Sequence, residues 1–448
     1  MNTPIFPEHI QKHPIFYKGY NLSHYLITYH SFEHIEAHII KDHAKRAIRN
    51  LFWPISAFGT FLIGKLNYKR NKFIDSKCKT KYLFVCNWPQ EHRAFSILGN
   101  IISSIENKNE VLIVTDCEDI YQYYTTLKIA CVYICISGLS FDKEIWKKKY
   151  LDSHESFILS RVKRYIDAVE KFMDEFQPDI TLTVCDLHTF ERVFAESARL
   201  KGVLSITHQH GQMAPTNRMH DYTISNYIVV WGNKTKENIE DYIKLTEIKV
   251  LGTDIHGNLL EQKAQIKKDS ITLALNPRSD EINKFLITQI IMEMNKLGKE
   301  NQNTYSFILK LHPSMKQKFW EKFFVSSAKS LSFKMQYEIA TYGNEVILNR
   351  SKILLVLSSS IALEAFICGA SVITLDIPQL YNNPLVFYDK LPESIVGVND
   401  LLSEVDKRLN DAEYNMKILD KQELSIKEHI FSFDSSNKEL EWIEELLS

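Results

Sequence analysis

From Lys81 onward the chain alternates short apolar runs with longer stretches in which apolar residues recur every three or four positions. KYLFVCN (81–87), EVLIVTD (110–116), IACVYICIS (129–137), ITLTVCD (180–186) and VLSITHQ (203–209) are short, rich in β-branched residues and apolar on both faces. That is the pattern of strands buried on two sides. Between the last two, Phe190, Val193, Phe194 and Ala198 repeat at helical spacing and Gly202 follows, which predicts a helix over Leu187 to Leu200. A polar stretch, EQKAQIKKDS (261–270), interrupts the pattern before a second set begins. ITLALNP (271–277), YSFILKLHP (305–313), KILLVLSSS (352–360) and ASVITLD (370–376) read as strands, with helical text such as EINKFLITQIIMEMNKLG between them. Such alternation predicts parallel sheets wrapped by helices, so the expected class is α/β with two domains, 76–265 and 266–430. Residues 1–75 form an N-terminal extension on this reading, and the acidic, amphipathic end of the chain forms a helix within 431–448.

A chain of 448 residues exceeds what one core normally serves, which agrees with two domains. With 54 Lys and Arg against 55 Asp and Glu, the balance excludes a general electrostatic hold on nucleic acid. Seven scattered cysteines, several inside strand-like runs and none in a CxxC pair, fit reduced core thiols. The first twenty residues lack the basic start and long apolar core of a secretory signal, and no apolar run approaches the roughly 20 residues that span a bilayer. A cytoplasmic protein is expected. LFWPISAFGTFLIG (51–64) is almost wholly apolar between basic flanks, and it reads either as a buried plug or as a segment lying in an anionic membrane interface.

Ligands of parallel α/β sheets gather at the carboxyl ends of the strands, so motifs there carry the most weight. In the second domain, His312-Pro313 follows the strand text FILKL. The proline ends pairing and biases the histidine to an extended backbone, fixing an imidazole at the sheet edge with Lys310 nearby to meet a phosphate. Ser358, Ser359 and Ser360 follow KILLVL and precede a helix closed by Gly369, with Ser360 expected as N-cap and the remaining hydroxyls and amides free for an anion. Glu364, one turn into that helix, is a candidate for ribose hydroxyls. Arg278 in NPRS is a candidate diphosphate partner. In the first domain, Asp186 ends ITLTVCD and His210-Gly211 ends VLSITHQ, so an acid and an imidazole share one edge where either would take a proton from a hydroxyl. Gly211 is expected to make the bend. The histidines of THQHG share a strand face, but no third and fourth ligand stand at recognisable spacing, and no DxD is present to hold a divalent ion. No metal is expected.

VCDLHTFERVFAESARLKGVLSITHQHG, YIVVWGNKTKENI, VLGTDIHGN, LKLHP and LSSSIALEAFICGASVITLD together resemble bacterial glycosyltransferases of surface-polysaccharide synthesis, over roughly residues 178 to 376. The nearest in motif are capsule Kdo transferases and bacterial sialyltransferases, which share a histidine-proline motif and a serine pair; CDP-glycerol polymerases have a similar layout. The resemblance implies a GT-B fold, two facing Rossmann-like domains with the nucleotide-sugar donor in the C-terminal one and a glycan or glycolipid acceptor in the N-terminal one. It implies that His312 and Ser358 to Ser360 contact the nucleotide phosphate. The base would come from the N-terminal domain, with Asp186 the first candidate and His210 the second, since HQHG stands where the sialyltransferases carry an acidic-glycine motif. The function implied is inverting, metal-independent transfer from a nucleotide-linked sugar, with CMP-linked acidic sugars leading, at the cytoplasmic face of the inner membrane. A CDP-glycerol-type phosphotransferase, a non-catalytic polysaccharide-binding scaffold and a sugar-nucleotide epimerase are the alternatives.

Overall fold

The computed structural model describes residues 12–26, 65–74, 79–88, 93–137, 142–211, 213, 221–261, 270–276, 280–301, 306–312, 315–329, 336–341, 343–357, 359–377 and 395–448. The apolar segment 51–64 lies outside them. The chain divides into two compact units, Met1–Ile255 with Phe431–Ser448, and His256–Ile430.

Unit 1 opens with a small hairpin, β1 (Phe16–Tyr17) and β2 (Tyr20–Asn21), whose turn places Lys18 and Gly19 at positive φ. Three tyrosines stitch this segment to two helices. Tyr17 donates to Asp167 (2.7 Å) and Tyr20 to Glu170 (2.6 Å) on Ser153–Phe176, and Tyr25 donates to Glu196 (2.9 Å) on Thr189–Leu200. The part of 1–75 that is described therefore packs as part of unit 1.

The main sheet of unit 1 holds β3 (Lys65–Arg70), β4 (Tyr82–Val85), β5 (Val111–Thr115), β6 (Ala130–Ser137), β7 (Ile180–Thr183), β8 (Leu204–His208), β9 (Tyr227–Val230) and β10 (Glu247–Val250). Its order is β10-β9-β8-β7-β4-β5-β6-β3, parallel except for β3, which runs antiparallel to β6 at the edge. The winding proceeds from β4 through β5 to β6, then returns to place β7 on the other side of β4. That reversal opens a crevice between the carboxyl ends of β4 and β7. All side chains of β4, β5 and β7 are buried, as strands covered on both faces must be. On one side Phe190 and Phe194 of the helix Thr189–Leu200 pack edge-on against Tyr165 and Phe172.

The helix Ser436–Leu447 returns to unit 1. Asp254 accepts from the amides of Ser435 and Ser436 at its head, Trp442 meets Tyr227 edge-on, and Glu444 accepts from Lys81 and Tyr82. The returning chain passes so close to Gly252 (φ +102) that a Cβ there would collide with the backbone of Ser432. Only glycine fits.

Unit 2 has one parallel sheet, β11 (Ser270–Ala274), β12 (Ser306–Lys310), β13 (Gln336–Ala340), β14 (Ile353–Val356), β15 (Ser371–Asp376) and β16 (Ile395–Gly397), in the order β13-β12-β11-β14-β15-β16. Its winding reverses between β11 and β14. Wholly buried Arg408 fixes the helix Leu401–Asn410 to β15, donating to the Val372 carbonyl (2.7 Å) and Ser371 (3.0 Å) while Glu404 neutralises it (2.6 Å). Among the described residues no helix is long and apolar enough to cross a membrane.

Candidate functional site

The sequence candidates of unit 2 gather around its reversal point. Ser359 and Ser360 follow β14 at the head of the helix Ile361–Cys368, and His312 lies just past β12, which flanks β11. Gly369 closes the helix in the left-handed conformation, as its position after the apolar run predicts. The cap differs from expectation: Ser360 makes no side-chain cap hydrogen bond, and the Ser359 hydroxyl accepts from the Ile361 amide instead (3.4 Å). Ser360 has helical φ and ψ, so its hydroxyl no longer reaches back over the first turn. His312 is exposed, and partial desolvation together with the Lys310 ammonium holds its imidazole below the usual range. Lys310 itself is buried and donates to the Leu311 carbonyl (2.9 Å). Glu364 is also buried, and one of its oxygens accepts from Asn344 (2.9 Å), tying two helices together. Arg278, Pro313 and Ser358 lie outside the described residues.

In unit 1 the edge holding Asp186 and His210 is real, but the two residues have different surroundings. Asp186 is buried, and one of its oxygens accepts from the amides of Ile224 and Ser225 (both 2.9 Å) and from the Ser225 hydroxyl (2.8 Å). It latches the segment before β9 to the end of β7. His210 is half-buried, with its ring 5.3 Å from that of Trp88.

The rest of THQHG builds the mount for His210. His208 is held at both nitrogens, 2.5 Å from the Thr183 carbonyl and 2.5 Å from Glu439. Burial opposes its charge, but the adjoining Glu439 carboxylate outweighs that and raises its pKa. Gln209 accepts from the Trp231 amide (2.8 Å) and donates to the Gly211 carbonyl (2.9 Å). Gly211 does not make the bend in the way its residue type suggests. Its φ is not in the left-handed region, and a Cβ would meet nothing within 4 Å. The Gln209 side chain holds the turn.

Sequence reasoning missed what surrounds this edge. Asn87 and Trp88 follow β4, Asp116 follows β5, and His188 and Glu191 stand at the head of the helix after β7. The Trp88 ring lies 4.9 Å from His188 and meets it edge-on. Glu191 is wholly buried and accepts from Asn87 (2.9 Å); burial drives its carboxyl well above the usual range, and the Asp116 charge adds to the effect. Asp116 is pushed up to about 6, chiefly by burial, with Arg161 opposing. Their place at strand ends was the available signal. Asp116, in the stretch DCED, has no metal-binding spacing, which is why it reads as plain loop. Among the described residues no group of three or more His, Cys, Asp or Glu is arranged to hold a metal.

Solved structures establish the fold class. The chain is similar to a glycosyltransferase from Rickettsia africae (TM-score 0.54, 12% identity, covering 83% of this chain and 99% of that one). It is similar also to UDP-GlcNAc 2-epimerases from Neisseria meningitidis, bound to UDP-GlcNAc, and from Methanocaldococcus jannaschii. Both have a TM-score of 0.53 and 16% identity, and each match covers 82% of this chain, with 100% and 99% of the epimerase chains. The fold is GT-B, with two Rossmann-like units. No family model matches the chain, and no curated protein matches it in sequence.

Proposed function

We propose that the protein is an inverting glycosyltransferase that moves a sugar from a nucleotide-activated donor to a hydroxyl of a bacterial surface glycan. The observation that carries this is that the carboxyl edge of the second sheet carries a helix N-terminus with Ser359 and Ser360 after β14 and His312 after β12, on either side of β11. Amides, hydroxyls and a neutral imidazole are the groups that receive a phosphate as negative charge grows on it. In the reaction an acceptor oxygen loses its proton to a base and bonds to the anomeric carbon, while the bond from that carbon to the donor phosphate breaks. His210 is the better base on geometry, because Asp186 already accepts three hydrogen bonds through one oxygen. Asp186 then acts by fixing the edge. No metal is required, since unit 2 supplies the groups that stabilise the leaving phosphate.

A CMP-linked acidic sugar such as Kdo or sialic acid is the leading donor, on the strength of the histidine-proline and serine motifs. Peripheral contact with the inner membrane through 51–64 belongs to the same reading. The second reading is a UDP-sugar 2-epimerase, favoured by the structural likeness to such enzymes at a TM-score of 0.53.

Thermal unfolding with CMP, CDP, UDP, CMP-Kdo, CMP-sialic acid, CDP-glycerol and UDP-GlcNAc tests both. A nucleotide at about 100 times its Kd stabilises by about 2.7 kcal/mol, enough to move the transition by several degrees. His312→Ala should abolish most of that shift. A CDP-glycerol preference points to polyol phosphate transfer, and conversion of UDP-GlcNAc without an acceptor to the epimerase. No shift with any nucleotide sinks the transferase in favour of a non-catalytic scaffold.

A further inference from the structure

Between β6 and the helix Ser153–Phe176 the chain reads FDKEIWKKKYLD (141–152), with four lysines against one glutamate over Lys143 to Lys149. Asp142 caps the short helix Lys143–Trp146, accepting from the amides of Glu144 (3.1 Å) and Ile145 (3.0 Å). Ile145 turns inward and is buried in the core of unit 1. The turn is anchored through Ile145, and the next side chain, Trp146, is exposed together with Lys143, Lys147, Lys148 and Lys149. Of these four lysines only Lys147 has a carboxylate partner among the described residues, Glu144 (2.9 Å).

The N-terminal hairpin joins this surface from the side. The His13 ring lies 5.0 Å from that of Tyr150, whose hydroxyl donates to the His13 carbonyl (3.4 Å). The Lys163 ammonium stands 4.5 Å from the centre of the Tyr17 ring and pairs with Asp142. Contacts on both flanks of Phe16 thus reach the two ends of the 142–150 loop, and Phe16 itself is the most exposed large apolar side chain among the described residues, at 65%. The neighbouring acids are already committed, Asp142 to Lys163, Asp167 to Lys18 and Glu144 to Lys147. Two outward aromatic rings beside unpaired lysines fit the interface of an anionic bilayer, with the rings at headgroup level and the ammonium groups on lipid phosphates. An acidic polypeptide would engage the lysines but leave the rings in water, which favours lipid.

We infer that Phe16, Trp146, Lys143, Lys148 and Lys149 form a docking surface for a bilayer that contains anionic lipid, separate in sequence from the 51–64 segment. The loop leaves the sheet at the carboxyl end of β6, the same edge at which β7 and β8 lead to Asp186 and His210. A glycolipid acceptor is then presented from the bilayer on that side. This consequence rests on the transferase reading, whereas the lipid contact does not.

The test sediments the whole protein with phosphatidylcholine vesicles, with and without about 30% phosphatidylglycerol. Binding to the anionic vesicles is expected to be tighter by about tenfold or more, and to fall as salt rises from about 0.1 M to about 0.5 M. The triple variant Lys143→Ala, Lys148→Ala, Lys149→Ala should weaken it about a hundredfold, or about fivefold per lysine, and Trp146→Ala about tenfold. Lipid brominated in its acyl chains should quench part of the tryptophan emission of the parent, and that part should be lost in Trp146→Phe. All these side chains are exposed, so thermal unfolding of the variants should match the parent. Absence of binding to anionic vesicles overturns the proposal, as does a triple variant that binds within about threefold of the parent. Quenching that persists in Trp146→Phe does the same, since Trp53 of the 51–64 segment would then be the ring in the lipid. Retention on immobilised polyglutamate that the triple variant loses, with vesicle binding unchanged, overturns it in favour of an acidic protein. The nucleotide-induced thermal shift tests the transferase reading separately, so either can fail alone.

Discussion

Asp116 shows how a residue at the first sheet's edge is held at a cost to the fold. Its carboxyl is pushed from 3.8 up to about 6, mainly by burial. A raised acid pKa means the native state binds more protons than the unfolded chain between those values, so stability falls as pH rises through that window and levels off above it. At about 1.4 kcal/mol per pH unit the loss is on the order of 3 kcal/mol. Asp116→Asn should therefore be more stable than the parent at pH 8 by up to that amount, with the difference shrinking toward zero near pH 4 in urea titrations. A difference independent of pH would show that ionisation is not the cause. The strand-end positions of Asp186 and His210 were legible from their place after apolar runs. Their roles were not, because what decides them lies far along the chain. Asp186 meets residues 38 and 39 positions away, and His208 meets Glu439 at a separation of 231. No local pattern encodes such partners.

Among the elements, the C-terminal helix Ser436–Leu447 has the clearest energetic signature. Its Glu439 forms a buried pair with His208, and removing one member of such a pair typically costs about 3–5 kcal/mol because the other is left uncompensated. Glu439→Ala should destabilise unit 1 by about that much below pH 6.5. The raised pKa of His208 sets the sign of the pH dependence, since the pair's contribution is complete below the unfolded value and is lost as pH rises through the folded one. Chemical denaturation at pH 6 and pH 9 checks it, and an equal loss at both would refute the charged pair. Strands such as β5 and β14 were legible because burial on both faces leaves an unbroken apolar run. β3, with the sequence KLNYKR, was not, since an edge strand with exposed Leu66 and Tyr68 alternates and looks like loop. The serine cap was legible as a strand-to-helix junction, but which hydroxyl caps it depends on backbone angles that composition does not fix.

At the scale of the whole molecule, the two units have separate cores, one built around β11 to β15 and the other around β4 to β8. A ligand bound by one unit stabilises only what unfolds with it. Unit 2 holds just one of the six tryptophans, Trp320, which is buried and therefore reports its unfolding. Differential scanning calorimetry should resolve two transitions, and Trp320→Phe should remove the fluorescence change from one of them. A nucleotide at about 100 times its Kd should raise that transition alone, by roughly 5–10 °C for a unit of this size. If calorimetry shows one common transition, the units are not independent in stability; if the nucleotide moves the transition without Trp320, the donor site has been placed in the wrong unit.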